Sequence, residues 1–452
     1  MSQTKKNINV AIIGGGLAGM SAAVALAEKG ISATIFEASL QLGGRARSIN
    51  VEFNSEIVRV DNGQHILLGA YRETLNLLKK IGVPEQDAFM RLPLTLEAIS
   101  PKAELEFKLT LPKFLPYPLN HLMGFLFCYG LRFSECFSVI KLMLSMKKNG
   151  FQIARDKPLC EFLVLKKQSS RIIQLLWEPL CLAALNTPIK VASTQVFLNV
   201  LNDTFNQGKK SSDFLLAKAD LSQIFSRPIT RFLETKNITI LVNHRVKSIK
   251  PINLSDGSNA YQITEKTGTN KLTEHQFSHV ILASSPHRLN KLLIDLPKLT
   301  SIGSQVEHYH YQPIYTVYLQ YSNKIKLEKP IFALTDTLSQ WVFDRGILCD
   351  QPGLIAVVIS AEGSHQNMTH EALALRIAQE LHHAFPHLTK PLWHRVIAEK
   401  RATFSCSVNL MRPSHLTPYP NLLMAGDYTY ADYPSTIEGA VRSGIDCARI
   451  IY

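Results

Sequence analysis

Three glycines and one carboxylate near the start of the chain have the spacing to hold a dinucleotide. Gly14-Gly15-Gly16-Leu17-Ala18-Gly19 reads GxGxxG, and Glu37 follows 23 positions after Gly14. Gly14 permits a tight turn, Gly16 lets the backbone come against a pyrophosphate, and Gly19 allows a helix to lie close on a sheet. A helix opening at Leu17 and Ala18 offers free N–H groups and the positive end of its dipole to phosphate oxygens. Glu37 can accept hydrogen bonds from both hydroxyls of an adenosine ribose. Its charge repels a 2′-phosphate, which excludes NADP.

These residues need a strand, a turn, a helix and a second strand, and the flanking sequence supplies them. Asn9 to Ile13 (NVAII) is a short apolar run suited to a buried parallel strand. Met20 to Lys29 reads as a helix that stops at Gly30, and Ile31 to Phe36 as the next strand. After Glu37 and Ala38 comes QLGGRARS, in which Gly43-Gly44 lets the chain pass a second part of the same diphosphate. Arg45 would neutralise that diphosphate or hold the loop. Further on, Ile238 to Val246 (ITILVNHRV) alternates like one strand, and His279 to Ser284 reads as a buried strand. Near the C-terminus Asn421 to Ala425 is an apolar strand ending in Gly426-Asp427. Ser435 or Thr436 then caps a helix with Ile437, Ala440, Val441, Gly444, Ile445 and Ala448 on one face.

The 452 residues are too many for one core, and 46% hydrophobic with 19% charged residues is a globular composition. A net charge of +13 favours polyanions. The basic residues are scattered, with no zinc-finger spacing or RNA-binding signature, so nucleic acid is not an expected partner and an anionic membrane surface suits the charge better. Seven cysteines stand far apart without a CxxC pair, which implies free thiols in a reducing cytoplasm, and no metal is expected. Lys5-Lys6 followed by Ile8 to Ala27 has the outline of a signal peptide, but the glycines that interrupt it are explained by the nucleotide site. No stretch reaches the roughly 20 apolar residues that span a bilayer, so a soluble or peripheral protein is expected. Residues 109–149 are unusually apolar, with LMGFLFCYGLRF from Leu122 to Phe133 and a second run from Cys136 to Met146 ending in Lys147-Lys148. They suit either a helical lid for an apolar substrate resting on lipid or a buried helical subdomain.

The Gly43-Gly44 doublet, with Ala425-Gly426-Asp427, Glu438-Gly439-Ala440 and Ser443-Gly444, resembles flavoproteins of the amine oxidase and phytoene desaturase superfamily. That resemblance implies FAD. It also implies an adenine contact from the Val246 backbone, a ribityl or diphosphate contact from Asp427, and a helix N-terminus at Thr436 and Ile437 facing the flavin pyrimidine, where it stabilises an anionic reduced ring. The fold implied is α/β: a discontinuous Rossmann-like FAD-binding domain of the glutathione reductase type, with an α+β substrate domain containing a mixed sheet and a helical lid. We assign residues 1–75, 210–288 and 398–452 to the first and 76–209 and 289–397 to the second, with an apolar helical subdomain at about 109–205. Residues 304–322 and 354–360 read as strands, and Glu371 to Phe385 as an amphipathic helix.

Asp61-Asn62-Gly63-Gln64-His65 followed by ILLGAY, Trp177-Glu178-Pro179-Leu180, and Ala184-Leu185-Asn186-Thr187-Pro188 closely resemble the squalene-associated FAD-dependent desaturase family, over essentially the whole chain. The family implies that the first stretch passes beside the isoalloxazine ring. Gly63 then permits close approach, and Gln64 and His65 reach the substrate. The reaction implied is reductive loss of an allylic hydroxyl from a long-chain isoprenoid lipid, giving squalene for hopanoid synthesis. Hydroxide leaves poorly without a proton. His65 is the first candidate donor because its ordinary pKa is near neutral, and Glu178 is the second if burial raises its carboxyl. Asp61 is expected to shape the loop. A carotenoid desaturase or isomerase would share fold, cofactor and apolar tunnel. An amine oxidase would use Tyr428, Tyr430 and Tyr433 as an aromatic cage, and a non-enzymatic flavin-bearing lipid-binding protein is the remaining alternative.

Overall fold

Asn9–Ile13 is buried on both faces, as a central parallel strand must be. In the computed structural model, which describes residues 8–53, 56–102, 104–112 and 114–452, it forms the middle of a five-stranded parallel sheet. Lys5 and Lys6 lie outside the described residues. The strand order is Ile238–Val242, Ser32–Glu37, Asn9–Ile13, His279–Leu282 and Leu422–Met424. The sheet thus draws strands from both ends and the middle of the chain. Helix Leu17–Glu28 follows the first strand, and Gly30, at φ +69°, turns the chain out of it. This helix packs on the last one, Ile437–Ile451. Ser21 Oγ donates to Val441 O at 3.2 Å, and a Cβ on Gly444 would stand 2.0 Å from Ala18 O.

Ile238 to Val246 is not one strand. Asn243 takes φ +61°, a left-handed conformation that asparagine tolerates, and the chain changes sheet there. Ile238–Val242 completes the parallel sheet, while His244–Asn253 begins an antiparallel sheet with Asn259–Thr267 and Leu272–Phe277. The strand read across 304–322 is likewise shorter: Thr300–Glu307 is helical, burying Gly303 and Val306 at helical spacing, and the strand is Tyr311–Gln320.

That strand sits in a seven-stranded mixed sheet ordered Trp393–Phe404, Tyr311–Gln320, Leu354–Ser360, Trp341–Asp344, Ile331–Leu334, Thr95–Ile99 and Leu105–Thr110. The boundary placed at 398 falls inside Trp393–Phe404, which is continuous. The amphipathic helix His370–Ala384 buries Leu373, Ala374, Ile377 and Leu381 in the same core as this sheet. The apolar middle of the chain is helical. Leu119–Leu126 and Phe133–Lys148 are separate helices, so the run from Leu122 to Phe133 is broken, and Glu178–Leu185 and Thr194–Asn206 follow. Lys113 is not among the described residues. Trp177 anchors the block from a fully buried position, its indole N–H donating to Gln168 Oε1 at 3.0 Å. Among the described residues no helix is long and apolar enough to cross a membrane.

Candidate active site

A cavity of about 1590 Å³ opens where the parallel sheet, the mixed sheet and the helical block meet. Small-molecule pockets run to roughly 300–1,000 Å³, so this one has room for a cofactor and a substrate together. Its polar wall is built from the two glycine loops. Gly14 sits at φ +121°, and a Cβ there would lie 2.4 Å from Ala283 O, so the turn after the first strand requires glycine. Gly43 N–H donates to Gly15 O at 2.8 Å, and a Cβ on Gly44 (φ +59°) would stand 3.1 Å from Gly16 Cα. The loops therefore lie backbone to backbone. Gly16, Leu17 and Ala18 open the first helix onto the cavity with no side-chain cap and no acidic residue in the first turn, which leaves the helix's positive end for an anion.

Glu37 is held at the end of its strand. Its carboxylate accepts from Gly15 N–H at 2.8 Å and from Ser39 N–H and Oγ–H at 2.7 Å. Ala38 and Val246 line the same end of the cavity. Across it, Arg45 donates to Asp427 Oδ2 at 2.7 Å, to Ala402 O at 2.7 Å and to Ser435 Oγ at 3.2 Å. Arg45 thus ties the glycine doublet to the C-terminal turn while lining the cavity. Thr436 rather than Ser435 caps the last helix, its Oγ1 accepting from Gly439 N–H at 3.1 Å. Gly426, Asp427, Thr436 and Ile437 all line the cavity.

The DNGQH loop forms another wall. Asp61 is fully buried, and its carboxylate accepts from Leu221 N–H at 2.7 Å and from Arg345 Nη1 at 3.3 Å, while Tyr318 O–H donates to its carbonyl at 2.9 Å. Burial pushes the Asp61 carboxyl up, and Arg345 and the Leu221 N–H pull it back. Arg345 Nη1 also donates to Gln64 Oε1 at 2.7 Å. That contact fixes the amide orientation, because only the oxygen can accept. Gln64 Nε2 then has no partner among the described residues, although the side chain is buried against the cavity. His65 lies 2.6 Å from Gly63 O through Nδ1. A carbonyl only accepts, so Nδ1 carries the hydrogen and Nε2 is the position left to exchange a proton. Burial, and secondarily Arg45, push the ring below its ordinary 6.5, against the Gly63 carbonyl. His65 is thus neutral at rest, not a standing imidazolium. Gly63 keeps its Cβ position at least 3.7 Å from other protein atoms, so protein packing does not demand glycine there.

The remaining wall is apolar. Leu180, Leu182 and Leu185 come from Glu178–Leu185, and Phe197, Val200, Leu201 and Phe205 from Thr194–Asn206. Leu94, Ile314, Trp341 and Phe343 close it from the sheet side.

Most expected site residues therefore share one cavity. Gly19 stands behind it, where a Cβ would lie 2.0 Å from Gly14 O, so its task is helix packing. Glu178, half-buried, is not among the lining residues. Of the three tyrosines, Tyr428 and Tyr433 line the cavity and Tyr430 does not. Arg345 and Tyr311 are what sequence reasoning missed. Tyr311 lines the cavity, and so do Tyr428 and Tyr433, whose buried hydroxyls have no partner among the described residues. The Tyr428 and Tyr433 hydroxyls, the uncapped helix and the anchored carboxylate are what FAD, with its many acceptor oxygens and ribose hydroxyls, would satisfy. The residues fit that cofactor. Among the described residues no group of three or more His, Cys, Asp or Glu could hold a metal ion.

Residues 17–452 match the flavin containing amine oxidoreductase family, and the chain belongs to it. It is an FAD-dependent oxidoreductase. It is similar to the hydroxysqualene dehydroxylase of Sinorhizobium fredii, 26% identical over 96% of either chain, in keeping with the resemblance carried by the DNGQH and WEPL stretches. It is also similar to the zeta-carotene desaturase of Synechocystis sp., 23% identical over 98% of this chain and 97% of that one. A putrescine oxidase triple mutant of known structure shares the fold with a TM-score of 0.71 at 17% identity, over 98% of both chains.

Proposed function

We propose that this chain is a hydroxysqualene dehydroxylase, removing the allylic hydroxyl of hydroxysqualene to give squalene. The observation that carries the reading is one cavity in which a dinucleotide cradle, the Gln64–His65 loop and an apolar wall of Leu and Phe side chains all take part. FAD, reduced, supplies the hydride that this chemistry needs. In balance, the C–O bond breaks, a C–H bond forms, the hydroxyl leaves as water with one added proton, and the flavin ends oxidised.

The chain's own part is binding, orientation and proton supply. The apolar wall excludes water and takes the isoprenoid chain. Gln64 Nε2, oriented by Arg345, donates a hydrogen bond to the substrate oxygen. His65 delivers the proton from Nε2. Its lowered pKa keeps the imidazolium scarce but makes it a strong acid once formed. Glu178, outside the cavity lining, is given no role. The cofactor contacts of Gly14, Gly16, Leu17, Ala18, Glu37, Ala38, Gly43, Gly44, Arg45, Gly63, Val246, Gly426, Asp427, Thr436 and Ile437 belong to the same reading, as does a cytoplasmic location.

A second reading, a carotenoid desaturase in which hydride flows the other way, is favoured by the likeness to zeta-carotene desaturase. Anaerobic, photoreduced holoprotein mixed with hydroxysqualene decides between them. Flavin reoxidation with stoichiometric squalene is expected. Desaturated products from phytoene under oxidising conditions, with no squalene from hydroxysqualene, would overturn the proposal.

A further inference from the structure

Helix Phe133–Lys148 turns its greasy side both ways. Cys136, Val139, Leu142 and Met146 are buried, yet the opposite face carries Phe133, Phe137 and Leu144, exposed to 65%, 56% and 61%. Lys141 and Lys148 are exposed on that same face, at positions i+8 and i+15 from Phe133. A face meant for water carries polar residues of both signs. Here the rings of Phe133 and Phe137 touch, 5.3 Å between centroids, and the one acidic residue of the helix, Glu135, is engaged by Ser169 Oγ and Arg132 N–H. The preceding helix, Leu119–Leu126, exposes Leu119 and Leu122, and Phe127 after it is 71% exposed. The two helices are knit together, with Cys128 Sγ 3.5 Å from Cys136 Sγ and Lys147 Nζ donating to Tyr117 Oη at 3.2 Å.

The inner side of Leu119–Leu126 leads to the cavity. His121 and Phe125 pack against Phe205, at centroid distances of 5.3 and 6.1 Å, and Phe205 lines the cavity. At Leu119–Leu126, then, the helix with its inward His121 and Phe125 stands between the exposed leucines and Phe205 of the apolar wall.

We propose that the outer faces of Leu119–Leu126 and Phe133–Lys148 dock on the surface of an anionic phospholipid bilayer, and that the substrate enters beside Leu119–Leu126. Phe and Leu side chains would enter the acyl boundary, and Lys141 and Lys148 would reach phosphates at the headgroup level. Charge selects this occupant over a second copy of the chain. A two-fold contact would press a face carrying Lys141 and Lys148 against a second face of the same sign, with Glu135 already engaged. The entry route rests on the dehydroxylase reading, since a thirty-carbon isoprenoid resides in a membrane; the docking face does not.

The test is sedimentation of FAD-loaded protein with phosphatidylcholine vesicles, with and without about 30% phosphatidylglycerol. Binding to the anionic vesicles is expected, weakened by salt and reduced about tenfold or more by Phe133→Ser/Phe137→Ser/Leu144→Ser and by Lys141→Glu/Lys148→Glu. Both variants keep flavin absorbance and thermal midpoint, because the altered side chains are exposed. Wild-type protein left in the supernatant, variants that bind like wild type, or a solution dimer that the triple substitution turns monomeric would each overturn the proposal. Vesicle binding without squalene formation would sink the reaction and leave the surface, and squalene formation in detergent by a protein that ignores vesicles would do the reverse.

Discussion

Arg345 Nη1 lies 2.7 Å from Gln64 Oε1 and 3.3 Å from Asp61 Oδ2, so one fully buried guanidinium group fixes two residues of the DNGQH loop. Its Nε donates to Gln351 Oε1 at 2.6 Å, and Gln351 Nε2 donates to Arg59 O at 2.8 Å, which anchors the guanidinium from behind. Removing one partner of a buried pair leaves the other charge uncompensated, at a cost of about 3–5 kcal/mol. Arg345→Met is therefore expected to destabilise strongly in chemical denaturation. Adding Asp61→Asn should recover part of that loss, because the stranded carboxylate is gone. Strict additivity of the two substitutions would show that the pair is not coupled.

Gln64 has two functions that one substitution separates. In Gln64→Glu an oxygen still accepts from Arg345, and the new charge strengthens that tie, but the free donor becomes an acceptor. FAD content is expected to hold and thermal stability to fall somewhat, because a second buried carboxylate joins Asp61 on one guanidinium. Turnover of hydroxysqualene falls by about tenfold to a hundredfold, the effect of losing one well-placed donor. Unchanged turnover would reduce Gln64 to a structural residue.

What could be read in advance was local. The glycine loop, Glu37 and the capped last helix follow from turn chemistry and periodicity within a few residues of one another, and the structure keeps them together. The break at Asn243 had a signal, since asparagine is among the few residues at ease with φ +61°, but the alternation from Ile238 to Val246 outweighed it. Arg345 had no local signal. Its partners lie 281 and 284 positions away, and it reaches Asp61 from the start of helix Arg345–Cys349, which follows strand Trp341–Asp344 of the mixed sheet. Glu438 is similar. It stands in the EGA stretch, and the structure gives it a buried carboxylate accepting from Glu73 N–H, Thr74 N–H and Thr74 Oγ1 at 3.1, 2.9 and 2.7 Å.

Glu37 offers a test of the cofactor cradle. Its carboxylate already organises the loop through Gly15 and Ser39, and a ribose would add further charge-assisted hydrogen bonds. Such bonds are each worth about 1.5–3 kcal/mol, so Glu37→Ala should weaken FAD binding by about tenfold or more, read from recovery of flavin fluorescence on dilution. The five-stranded sheet should keep its far-ultraviolet dichroism. FAD retained at wild-type affinity would remove Glu37 from the site.

The proton donor is open to a test of sign. Burial sets the pKa of His65 below 6.5, so the ring is neutral at pH 7 and gains its proton only as pH falls through that lowered value. The unfolded chain takes up this proton sooner, so the same shift costs stability as pH drops from 6.5, and rates must be taken where flavin is still bound. If His65 donates from Nε2, kcat/KM rises as pH falls below 6.5, and His65→Gln abolishes the rise while retaining a group able to donate to Gly63 O. A wild-type rate that declines over this window would make Nε2 an acceptor for the substrate hydroxyl and end the donor assignment.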